Sequence, residues 1–273
     1  MVFSRRSFFI REGKISVGIL LRIQKYKFMF QQLVRRDFIQ KYKRTILGAA
    51  WSVLSPLMTL FVMNLVFSTL LGSKIEHYTI YLFSGQLIFS FFTEATNEGM
   101  VSLLNNAEIF TKVNVPKYMF LLSKNVSSII NFGLTLIVYF IFVLFDKVQI
   151  TWKFIFLFYP IFCLVLFNLG VGLILSALYV FFRDIKYLYS VFTTLLMYMS
   201  AIFYSIDTFP QIGKNLFLLN PIYVYIRYFR KIVLESTIPT LQFHFIALMY
   251  ALIVLTVGAW IYKKYNHKFL YYV

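Results

Sequence analysis

Between residues 48 and 71 the chain reads GAAWSVLSPLMTLFVMNLVFSTLL, with no charged side chain. About 20 apolar residues in an α-helix cover the roughly 30 Å of a bilayer's hydrocarbon, where the backbone must satisfy its own hydrogen bonds. The residues just before this run are RRDFIQKYKRTIL, a cationic segment with helical periodicity. Lys and Arg accumulate in short cytoplasmic loops, so the junction places an N-terminal segment on the inner side of a membrane.

The same test finds uncharged runs at 126–145, 154–182, 187–206 and 236–262. A weaker one, 78–93, stops at Glu94 and needs to continue to about Gly99. The expectation is an all-α polytopic membrane protein with six crossings. A six-helix domain at 48–262 lies between a cytoplasmic segment, 1–47, and a cytoplasmic tail, 263–273. Composition agrees: 60% hydrophobic and 14% charged residues describe a chain facing lipid rather than a soluble domain. The lone cysteine, Cys163, permits no intrachain disulfide. Residues 1–47 carry twelve Lys or Arg and no long apolar run, so no cleavable signal is expected there.

Six crossings with the N-terminus inside leave twenty Lys and Arg on the inner side and seven outside. The seven are Lys74, Lys147, Lys153, Lys214, Arg227, Arg230 and Lys231. Both termini are then cytoplasmic. The net charge of +17 follows from this bias and from contact with anionic lipid, so no nucleic-acid partner is expected.

Within residues 30–47, Phe30, Leu33, Val34, Phe38 and Tyr42 follow helical spacing, with Arg36, Gln40 and Lys43 on the opposite face. That pattern predicts an amphipathic helix lying on the inner leaflet. A plain topology signal accounts for the charge of Arg35, Arg36, Lys43 and Arg44, but not for the periodicity.

The loop after the second crossing, SLLNNAEIFTKVNVPKYMFLLSKN, is polar and long for a plain connection. Asn105 and Asn106 are placed to cap a short helix that Pro116 ends, which predicts a docking element on the cytoplasmic side. Between the fifth and sixth crossings the apolar pieces are too short to span and are broken by Pro210 and Asn220–Pro221. Re-entrant or interfacial helices are expected there. Arg227, Arg230 and Lys231 fall at i, i+3 and i+4, one cationic face. It suits either an anionic substrate or simple anchoring at lipid headgroups.

Glu94, Asn97 and Glu98 form a polar group at the inner end of the second crossing. They face either a protein interface or the wet surface, where the interfacial helix can pair with them. No catalytic constellation accompanies them. The phosphate-loop motif G-x-x-x-x-G-K-[ST] is missing, and His77, His244 and His267 are too scattered to suggest a metal site. The aromatic content of 21% suits both a route for sugars and ordinary packing against lipid.

The segment LVRRDFIQKYKRTILGAAWSVLSPLMTL resembles the opening of the membrane subunit of ABC-2-type polysaccharide exporters, which carry O-antigen, teichoic acid and capsular glycans. The likeness continues through NNAEIFTKVNVPK, FFRDIKYL, MSAIFYSIDTFP and LNPIYVYIRYFR, from about Leu33 to the C-terminus. The resemblance implies a coupling helix around Asn105, Asn106, Glu108, Lys112, Pro116 and Lys117 that docks on an ATPase, and a second contact at Arg183 and Asp184. It implies a homodimer of this subunit with two copies of the ATPase, which bind ATP and Mg. A lipid-linked glycan passes between the two membrane subunits, at the bacterial inner membrane. One departure is SAIFYS at residues 200–205, where the family often has SPIFYP; the missing proline puts a local kink in question. An integral-membrane transferase acting on lipid-linked sugars needs clustered acids or a metal site, and an ion-coupled flippase needs charges at mid-membrane. Neither pattern stands out in the sequence.

Overall fold

The computed structural model describes residues 26–71, 75–113, 115–207 and 209–272. Most of the predicted N-terminal segment, Lys74 and part of the first outer loop lie outside the described residues. The elements are helices: α1 (26–42), α2 (Trp51–Leu71), α3 (Tyr78–Val101), α4 (Ala107–Lys112), α5 (Tyr118–Phe145) and α6 (Phe158–Phe181). They continue as α7 (Ile185–Met199), α8 (Gln211–Phe217), α9 (Pro221–Val233), α10 (Leu241–Tyr265) and α11 (Phe269–Tyr272). Short 3-10 turns at Gly48–Ala50, Leu104–Asn106 and Trp152–Leu157 lead into α2, α4 and α6.

Among the described residues, four segments are long and apolar enough to cross a membrane: Gly48–Ser68, Tyr118–Phe145, Trp152–Phe181 and Leu241–Tyr265. α3 is as long but carries Glu94 and Glu98. It sits at the centre of the bundle, packed on α2, α5, α6, α7 and α9, with sixteen of its 24 residues buried. A helix wrapped by protein needs less apolar surface than one wrapped by lipid. α2 is the opposite case, with only 11% of its span buried.

The predicted run 187–206 is not one helix. α7 ends at Met199, and its 15 residues rise about 22 Å, short of the hydrocarbon thickness. Ala201 then turns with φ +50, so the break occurs here without the family's proline. The irregular backbone that follows is buried, and buried carbonyls at membrane depth require partners. Tyr78 donates to Phe203 O at 2.9 Å, and Tyr81 donates to Tyr204 O at 2.7 Å. Arg230 reaches the carbonyls of Ala201 and Ile202 at 2.8 and 3.0 Å.

α2 contains a related repair. Pro56 lacks the N–H that would bond Ser52 O, and the hydroxyl of Thr135 on α5 lies 3.4 Å from that carbonyl. α6 and α10 cross so closely that a Cβ added to Gly258 would lie 2.5 Å from Gly170 O. α9 runs antiparallel to α10. Leu218 O accepts from Tyr250, Ala247 O from Tyr225, and His244 meets Tyr228, so α9 climbs towards the start of α10.

Candidate functional site

Two ends of the bundle can be told apart by their contacts. At one end His77 bonds Asp146 at 2.9 Å, and Lys153 donates to Ser236 O at 2.7 Å. At the other end α1, α4, the turn after α6 and the close of α10 gather around a second apolar cluster. It contains Leu33, Leu103, Phe110, Phe120, Val180 and Phe269.

α1 meets the bundle through a polar network. Asp37, only 4% exposed, accepts from Arg36 at 2.8 Å and from Ser123 at 2.7 Å, and Lys124 Nζ stands 3.7 Å away. Lys124 also pairs with Glu98 at 3.0 Å. One turn along, Lys41 and Asn131 each donate to Glu94 Oε1 at 2.7 Å, and Tyr42 donates to Asn131 at 3.0 Å. Glu94 and Glu98 are therefore paired with α1 and α5. Asn97 stands apart: its amide bonds its own helix at Thr93 O.

The expected cap of α4 takes a different form. Asn106 occupies the N-cap position, yet its side chain makes no capping bond. It is 1% exposed; its Nδ2 donates to Ser102 O at 2.7 Å and its Oδ1 accepts from Arg36 at 2.6 Å. This ties α4 directly to α1. Asn105, Glu108 and Lys112 face outward, while Phe110 is buried beneath them in the apolar cluster. Lys117 is not an outward contact. Its Nζ donates to Asn266 O at 2.6 Å and lies 5.6 and 5.7 Å from the rings of Phe110 and Phe269. Burial lowers its pKa. Pro116, beside it, is half-buried. Arg183 and Asp184 are exposed at this same end, with Arg183 over the ring of Tyr179.

Of the four cations proposed from sequence at the inner surface, Arg35, Lys43 and Arg44 are exposed, and Arg36 is turned into the network. Lys41, absent from that set, holds Glu94. Asp37 completes the site without having been among the candidates, although an acid in the otherwise basic segment RRDFIQKYKR is a visible signal.

The predicted cationic face on α9 does not form. Arg230 is 2% exposed, with its guanidinium 3.4 Å from the Tyr81 ring centroid and bonded to Tyr81 O, Ser84 Oγ and the carbonyls after α7. Arg227 pairs with Glu235 and lies 3.7 Å from Asp207. Lys231 stands 5.5 Å from the Phe243 ring. Helical spacing alone ignored the neighbours that claim each side chain.

Residues 29–234 match the family model described as ABC-2 type transporter. The chain is 28% identical to the O-antigen export system permease protein RfbA of Klebsiella pneumoniae over 251 residues, covering 89% of this chain and 95% of that one. It is 24% identical to the protein of the same description from Myxococcus xanthus over 227 residues, covering 82% and 86%.

Proposed function

The chain belongs to the ABC-2 type transporter family, among its polysaccharide-exporter permeases, and on that premise we propose that it exports a lipid-linked glycan with energy from a separate ATPase. Two copies of this subunit and two ATPase subunits make the transporter, with ATP and Mg held by the ATPases. The reading places the α1 and α4 end, and both termini, in the cytoplasm. It takes α3, and α7 continued by the buried backbone of residues 200–206, with the four apolar spans as six crossings, and α8 and α9 as a re-entrant pair at the outer side.

The observation that carries the coupling role is the setting of α4. Its outward residues Glu108 and Lys112, and Asn105 in the turn before it, are free to meet a partner, while Phe110 roots it in a cluster shared with α1, α5, α6 and α11. A push on α4 is therefore delivered to the ends of several helices at once. Arg183 and Asp184 offer a second contact beside it. Arg35, Lys43 and Arg44 remain available for anionic headgroups where cargo enters from the inner leaflet.

The test is to reverse Glu108 and Lys112 together in the reconstituted complex. ATPase activity uncoupled from transport, with the bundle still folded, is expected; unchanged coupling rejects the role. Mass spectrometry of lipid-linked glycans in cells lacking the protein names the cargo. If no such glycan accumulates inside, the export reading is wrong.

A further inference from the structure

α6 packs against both α5 and α10, and the three helices leave a groove of about 420 Å³ between them. Leu121 and Leu122 of α5, Leu169 and Leu173 of α6, and Leu255 and Ala259 of α10 line most of it. All three helices belong to the spans long and apolar enough to cross a membrane, so these side chains lie at hydrocarbon depth. From Leu255 to Lys263 the groove follows about 12 Å of α10.

The lining changes character at the end nearest α4, where Lys117 and Lys263 stand with Tyr118 and Asn266. Lys263 is exposed and precedes Asn266 by one helical turn, and Asn266 O accepts from Lys117, so both lysines share one mouth. Neither forms an ion pair among the described residues, and no acid lines the groove. The network under α1 is the contrast, since Arg36, Lys41 and Lys124 each meet an acid there. Lys117 gives one N–H to Asn266 and keeps two further donors. A half-buried ammonium without an acid gains by meeting an anion, and burial already lowers the pKa of Lys117.

Trp260, 63% exposed beside Lys264, and half-exposed Tyr118 mark the level of lipid headgroups, where such rings settle. Two unneutralised cations at that level, opening onto an apolar groove at hydrocarbon depth, complement an anion that carries an acyl chain. An acidic soluble protein could meet the lysines but could not follow the groove between helices that face lipid. A free phosphate would leave the apolar part uncovered.

We propose that the groove between α5, α6 and α10 holds an anionic phospholipid of the bilayer, with its phosphate at Lys117 and Lys263 and one acyl chain along Leu173 and Leu255. This lipid is a fixed component of the bundle rather than cargo, and its assignment does not rest on the export reading.

The test titrates the full transporter, stripped of lipid in detergent, with dioleoyl phosphatidylglycerol or dioleoyl phosphatidylcholine, and counts retained lipids by native mass spectrometry. One phosphatidylglycerol per copy of this chain is expected to be held at least about tenfold more tightly than phosphatidylcholine. Lys263→Gln should weaken that retention about fivefold, the scale of one cation at a lipid surface, and adding Lys117→Gln should weaken it further. Lys264→Gln removes the same charge from a different face of α10 and should change retention by less than about twofold. Ala259→Trp fills the apolar part, alters no charge and should abolish retention, whereas Lys263→Arg should keep it. Unfolding temperatures of the variants report that the bundle is intact, and exposed Lys263 carries the test if Lys117→Gln fails to fold. Equal weakening by Lys263→Gln and Lys264→Gln, or retention indifferent to Ala259→Trp, overturns the proposal. Displacement by glycerol 1-phosphate as readily as by phosphatidylglycerol overturns the lipid, and tighter retention of a polyprenyl phosphate would assign the groove to cargo instead. Normal surface polymer in cells lacking the protein would reject the export reading and leave these binding results intact.

Discussion

Lys41 Nζ stands 2.7 Å from Glu94 Oε1, joining α1 to the central helix of the bundle, α3. Both side chains are about a third exposed, so the pair is screened by water and worth about 0.2–1 kcal/mol. A double-mutant cycle on Lys41→Met and Glu94→Gln, read by thermal unfolding in nanodiscs, is expected to give a coupling in that range. The swapped pair, Lys41→Glu with Glu94→Lys, should recover most of it.

Asp37 is a heavier loss. Its side chain is 1% exposed and serves Arg36, Ser123 and Lys124, so Asp37→Ala leaves Lys124 with Glu98 alone. Breaking a buried ion pair costs about 3 kcal/mol. Asp37→Ala should lower the unfolding temperature more than the whole Lys41–Glu94 cycle, with Asp37→Asn in between. An equal effect of the two sites would show that the network is hydrated rather than buried.

Arg230 is held by backbone carbonyls rather than by an acid. A lysine ammonium is a compact point charge and cannot reach Tyr81 O, Ala201 O and Ile202 O together as the fork of a guanidinium does. Arg230→Lys should therefore destabilise the packing of α9 against α3 and the turn after α7 by about 2 kcal/mol, the scale of orphaned buried acceptors. Cysteine cross-linking between α7 and α9 should become less efficient. The charge preference for cargo should not change, because Arg230 does not face an open surface.

Two glycine substitutions should have opposite signs. In Gly170→Ala the new Cβ meets the α10 backbone at 2.6 Å, so α6 and α10 must separate and stability must fall. Gly133→Ala on α5 meets nothing within 4 Å and should add up to about 1 kcal/mol of helix propensity. Comparing the two unfolding temperatures separates packing from backbone entropy.

Four helices were legible because each is written as one unbroken apolar run against lipid. α7 was not, since the run 187–206 stays apolar through Ser200 and Ala201, where the backbone turns because α3 and α9 supply donors to the freed carbonyls. The short helix α4 was visible in its loop, but the use of Asn106 depended on Arg36, seventy residues earlier. Arg230 shows the same limit. Its spacing placed it with Arg227 and Lys231, whereas Gly85 leaves the space its guanidinium occupies, with an added Cβ falling 2.7 Å from Nη2.

The network beneath α1 balances three cations, Arg36, Lys41 and Lys124, against three acids, Asp37, Glu94 and Glu98. The chain's surplus of +17 therefore lies entirely elsewhere in the sequence. Ionic strength acts on the exposed charges and on the pairs of buried Asp37 differently, because the Debye length contracts to about 3 Å at 1 M salt while enclosed pairs are little screened. Salt should thus weaken attraction to an anionic bilayer, and the partly exposed Lys41–Glu94 pair, long before it loosens the hold of Asp37 on Ser123 and Lys124. Attraction to a charged surface and the seating of Asp37 between α1 and α5 therefore answer to salt separately.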